Sequence, residues 1–125
     1  MTFTPKLTAT LTAIALGLAT PVVAQQTQVP NIAADDVTDA QVDAFVKAAI
    51  AVEEVRGIYD PQIEAAQDDA SRKELMDQAN TEAMQAVVDV QGVTPAEYLA
   101  IGRAARGDET LNSRIMVEYR SMTGR

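Results

Sequence analysis

The side chains able to do chemistry in this sequence are few in kind. Cys and His are both absent, so no thiol nucleophile, imidazole base or His/Cys metal ligand is available. That removes most hydrolase, redox and zinc designs. Carboxylates and tyrosines remain. Glu53 and Glu54 are adjacent, so on a helix they point about 100° apart and cannot share a proton or clamp one ion. Asp68 and Asp69 stand side by side, but a calcium site takes about six to eight oxygens, and the spaced Asp-x-Asp-x-Asp-Gly pattern is missing. They read as helix caps. No Gly-x-Ser-x-Gly elbow and no Gly-rich phosphate loop occurs. Tyr59, Tyr98 and Tyr119 have the character of rings that pack their bodies inward and keep their hydroxyls wet. Arg114, beside Leu111 and Ile115, is placed to pair with an acid of an earlier helix while its stem packs on apolar surface. No catalytic residue, cofactor or metal site is predicted, and the chain reads as a non-enzyme.

The elements that hold these residues are helices from Asp36 onward. Thr38 and Gln41 form a capping box, and Val37 and Val42 have hydrophobic-staple spacing. A stripe follows at Val42, Phe45, Ala49, Val52, Val55 and Tyr59, widened by Val46 and Ile50. Pro61 removes a donor and crowds the turn before it, which predicts a kinked continuation to Gln67. Ser71 with Glu74 is a second possible box, with Asp68 and Asp69 as competing caps. The next stripe is Leu75, Ala79, Ala83, Ala86, Val87 and Val90, ended by Gly92 as a left-handed stop. In GVTPAEY, Thr94 caps, Pro95 takes the first helical position, Glu97 closes the box and Val93 staples to Tyr98. The stretch therefore reads as a joint. VTDAQVDAFVKAA and VTPAEYLAIGRAA share Val, Thr and four Ala at matching positions. Tyr98, Ile101 and Ala105 mark a short helix stopping near Gly107. Asp108 then caps a last one with stripe Leu111, Ile115, Tyr119 and Met122. The expectation is all-α: a small bundle of two long and two short helices over residues 36–125.

What precedes residue 36 reads differently. Lys6 is the only charge before Asp35, the run LTATLTAIALGL follows, and Val22 and Ala24 sit where a signal peptidase reads. Residues 1–24 are therefore expected to be a cleaved signal peptide, cut between Ala24 and Gln25, with residues 25–35 a flexible linker. The location implied is the periplasm or the exterior, without stable membrane insertion after cleavage. Loss of Lys6 leaves 18 acids and 9 bases, a net of −9. Such a chain repels phosphate backbones, so nucleic acid is not an expected partner. The charge is uneven: residues 25–102 hold 15 acids and 4 bases, whereas residues 103–125 hold 5 Arg and 3 acids. The basic end is suited to lie against the acidic remainder, within one molecule or between two.

The blocks VEEVRGIYDPQIEAAQ and GVTPAEYLAIGRAARGDETLNSRI carry a resemblance. Phe45, Glu53, Glu54, Tyr59, Tyr98, Ile101, Asp108, Leu111 and Arg114, in that order, resemble a family of small exported bacterial helical proteins, Domain of unknown function 4168. The likeness covers roughly residues 36–115. The family often has Pro after its Asp, where this chain has Glu109. The resemblance implies an all-α fold and export, and implies no activity. On it, Tyr98, Asp108 and Arg114 are the interaction candidates. The function expected is a non-enzymatic module that binds another protein or itself through a helix face. The alternative is a chaperone-like envelope-stress binder of unfolded clients, and an enzyme using carboxylates and Tyr ranks last.

Overall fold

Helix starts in this chain are written into its side chains, and the structure, a computed structural model, uses each of them. It describes residues 29–125. The expected signal peptide (residues 1–24), its cut between Ala24 and Gln25, and linker residues 25–28 lie outside the described residues. A 3-10 turn, Ala34–Asp36, leads into four helices: α1 (Asp39–Ala65), α2 (Asp69–Asp89), α3 (Pro95–Gly107) and α4 (Glu109–Thr123). No strand occurs among the described residues.

Thr38 Oγ1 accepts from Gln41 N–H at 3.2 Å, and Gln41 Oε1 accepts from Thr38 N–H at 2.9 Å. Thr94 and Glu97 repeat the box at 3.2 and 2.9 Å, with Pro95 at the first helical position. Each box satisfies two donors that a helix start otherwise leaves orphaned. The sequence echo is therefore a structural one, and it extends to burial. Val37 and Val93 are both buried, as are the matching Ala44 and Ala100. At α2 the competition among caps goes to Asp68. It accepts from Ser71 N–H at 2.7 Å and also from Ser71 Oγ at 2.8 Å, so Ser71 is consumed as a donor and its own box with Glu74 does not form. Gly92 has φ +93°, as a left-handed residue should, but it stands two positions beyond the C-cap Val90, inside the turn, rather than directly at the helix end. A methyl group there would meet Ala44 Cβ at 3.3 Å, so this turn lies close on α1.

α1 runs unbroken through Pro61. Pro61 offers no N–H to the Gly57 carbonyl. One residue on, Gln62 Nε2 donates to the Ile58 carbonyl at 2.9 Å, adding a donor to the weakened turn. The turn is exposed, so water serves the remaining carbonyl. At about 1.5 Å per residue, α1 is roughly 40 Å long and α2 roughly 30 Å. The three residues between them force an antiparallel hairpin.

α1 is the shared partner, packing against α2, α3 and α4. Its buried face is Val42, Ala44, Val46, Ala48 and Val52, broader than the single stripe expected. Phe45, Ile50 and Val55 are only partly buried. The reason is geometric: a helix with neighbours on several sides buries more than one stripe, and small Ala side chains are what close approach requires. The four largest fully buried side chains are Val46, Val87, Ile101 and Leu111, one from each helix, in one cluster. Ile32 and Ala34 also pack on it, so the described end of the segment expected to be a linker is seated on the core.

The cluster is confined to one end of the hairpin. From Glu53 to Gln78 no residue is buried, and Val55, Tyr59, Ile63, Ala66 and Leu75 are half-buried. Here α1 and α2 pack mainly on each other, with α4 reaching them at Glu53, and they form an arm projecting from a four-helix head.

Two outcomes test this account. Ile101→Ala is expected to cost about 3 kcal/mol by denaturant unfolding, since it empties the centre of the head. Thr94→Ala is expected to cost about 1 kcal/mol by loss of one cap. If the two losses were equal and small, the head would not be the cooperative unit.

Candidate interaction surface

The three candidate positions fall in three different settings. Asp108 is the N-cap of α4: its Oδ1 accepts from Leu111 N–H at 2.7 Å. Arg114 donates through Nη2 to Asp39 Oδ1 at 2.7 Å, which ties α4 to the first turn of α1. Asp39 is fully exposed, so the pair is worth less than about 1 kcal/mol and its use is to fix the position of α4. Tyr98 stacks on Phe45 with ring centroids 4.9 Å apart and an interplanar angle of 24°. Such a pair adds about 0.5–1.5 kcal/mol beyond the area it covers. Burial pushes the Tyr98 phenol up, with Arg56 opposing and Glu53 reinforcing, so the hydroxyl stays protonated. Arg114 borders one cleft, with Asp39, Val42 and Val117. Tyr98 borders another, and the structure does not bring the three residues into one site.

The Tyr98 cleft, about 410 Å³, is the one with unspent chemistry. Val29, Phe45 and Tyr98 line it, Gly102 leaves the Phe45 ring uncovered, and Leu99, Arg103 and Arg106 also border it. Leu99, Arg103 and Arg106 are spaced i, i+4, i+7, which places them on one face of α3, and all three are exposed. Among the described residues neither guanidinium has an ion-pair partner, whereas Lys47, Arg72, Lys73 and Arg114 each do. Two unpaired cations beside an aromatic pair suit an anionic partner that brings some apolar surface. The sequence reading passed over Arg103 and Arg106. Their spacing with Leu99 was the available signal, but without α1 beneath α3 nothing distinguished it from an ordinary solvated face.

The other two tyrosines do act as hydroxyl donors. Tyr59 donates to Glu82 Oε1 at 2.6 Å and fastens α1 to α2. Tyr119 donates to Glu53 Oε2 at 2.7 Å and fastens α4 to α1. Glu53, read in sequence only as one of an adjacent acid pair, is thus a structural acceptor. No group of three or more His, Cys, Asp or Glu side chains suited to a metal ion occurs among the described residues. No described helix is long and apolar enough to cross a membrane.

What the fold and surface define is a class: a small all-α protein with a capped four-helix head, a two-helix arm and an amphipathic cleft on its third helix. The chain belongs to the family described as Domain of unknown function (DUF4168), which it matches over residues 38–115, from the cap of α1 into α4. Searches for similar curated proteins and for similar solved structures return no match.

The tyrosine pairs have a pH signature. The hydrogen bond to Glu82, then slight burial and the glutamate charge, raise the Tyr59 phenol above its ordinary 10.0, and Glu53 does the same at Tyr119. A group raised in the folded state contributes stability that is whole below pH 10.0 and is lost as pH climbs through the folded value. Ultraviolet titration is therefore expected to show phenolate forming later in the folded protein than in the denatured one, with thermal stability falling over the same alkaline range. Replacing Tyr59 and Tyr119 by Phe is expected to reduce that late fraction to the one phenol of Tyr98, which burial also raises. A late fraction undiminished by both changes would show that the bonds to Glu82 and Glu53 do not cause the shift.

Proposed function

We propose that this protein is an exported, non-enzymatic module that works by binding protein, first of all itself, through a helix surface. The observation that carries the reading is the arm. Two helices packed mainly on each other leave their seam half-covered, and Ile58 and Met76 on the arm are 61% and 49% exposed. A fold that ends in such a hairpin gains by covering it, because apolar area removed from water is worth about 25 cal/mol per Å². The head also exposes Val88, Leu99, Met116 and Val117, and its interior holds no buried polar or charged group among the described residues. Export is supported by the sequence pattern of residues 1–24.

Two measurements test the proposal. Mass spectrometry of the protein recovered from cells is expected to find a chain beginning at Gln25; a chain beginning at Met1 would rule out cleavage. Light scattering across a dilution series is expected to give a mass that falls from a multiple of the monomer towards the monomer. A strict monomer at every concentration, with no protein recovered alongside it from the envelope, would end the binding-module reading. Suppression of aggregation of a model client by that monomer would favour the chaperone-like alternative.

A further inference from the structure

We infer that the arm of one copy seats in the α3 cleft of a second, and that two copies make this exchange reciprocally. The inference rests on the self-binding reading above and specifies its geometry. Charge is the first argument. Between Glu54 and Asp77 acids outnumber bases seven to three, whereas residues 103–125 carry five Arg against three acids. The pattern is also local. Asp60 and Glu64 are like charges at i, i+4 on α1, and neither has an ion-pair partner among the described residues; Arg56, a turn before Asp60, does not form one either. Arg103 and Arg106 are like charges at i, i+3 on α3, equally unpaired. Like charges at these spacings destabilise a helix. Each pair is thus a local conflict that the fold of one molecule does not relieve, and the two pairs have opposite sign and similar rise along the helix.

Apolar surface is the second argument. Asp60 borders a groove on the arm that Ile63, Met76 and Ala79 line, with Arg56 at the end away from Glu64. Leu99, 44% exposed, stands one turn before Arg103 on the lip of the α3 cleft. Setting Arg103 and Arg106 against Asp60 and Glu64 places the exposed Leu99 about one turn beyond the charge pairs, so the same docking lays it along the arm. The exchange uses two different patches per chain. An antiparallel pair related by a twofold axis uses both patches of both copies and closes, with none left to propagate a chain.

Charge exchange tests this. Arg103→Glu with Arg106→Glu, and separately Asp60→Lys with Glu64→Lys, are each expected to weaken self-association of the protein isolated from cells at least tenfold by sedimentation velocity. All four positions are exposed, and circular dichroism checks that each variant keeps its helix content. Mixed one to one, the two variants are expected to associate with each other, since the acidic head then faces the basic arm while the basic head faces the acidic arm. Association of either variant with undiminished affinity overturns this geometry and leaves self-binding standing through another face. Failure of the mixture to associate overturns it too. A wild-type protein that never associates overturns both this geometry and the reading beneath it.

Discussion

The structure depends on one meeting point. Val46, Val87, Ile101 and Leu111 come from four different helices and lie in one cluster with almost no contact with water. With no disulfide available, this cluster is what turns four marginal helices into a folded head. It also sets the roles of the remaining parts. The capping boxes fix where α1 and α3 begin, so that Val46 and Ile101 arrive at the right height. The turn at Gly92 lies close on Ala44, where only a residue without a side chain fits easily. The Arg114–Asp39 pair and the Tyr119–Glu53 bond hold α4 to α1 from outside, where they need no desolvation.

The same constraint explains the division into head and arm. α3 and α4 are short, and they cover only the half of α1 that carries Val42 to Val52. Beyond that, α1 and α2 continue with a thin seam, a proline and many charges. Nothing in the arm is buried deeply enough for a proline to be severely disruptive, which is why α1 passes through Pro61 where a central helix of the head would not. The exposed carbonyls find water or a glutamine.

Much of this was legible in the sequence, and the legible part has a common cause. Caps are local: Thr38 with Gln41, Thr94 with Glu97 and Asp108 with Leu111 act within one turn, so spacing alone reveals them. Four helices, their order and nearly all their limits followed. What was not legible depends on neighbours. Whether Asp68 or Ser71 caps α2 is a competition that both side chains settle together. The burial of Ala44 and Ala48 requires knowing that α1 has company on several sides. Of the site residues, Arg114 could be assigned an acidic partner in kind but not the identity Asp39, because the registry of α4 on α1 is a tertiary fact. The Tyr98 cleft needed Phe45, 53 positions upstream, to give it a floor. Arg103 and Arg106 needed that floor to be noticed at all.

The absence of deep burial between Glu53 and Gln78 has a consequence for how such a protein can change over generations. Most substitutions there leave the cluster in the head untouched, so they cost the fold little. The projecting hairpin can therefore change in charge and outline at little cost to the core, whereas Val46, Val87, Ile101 and Leu111 must stay apolar for the head to form.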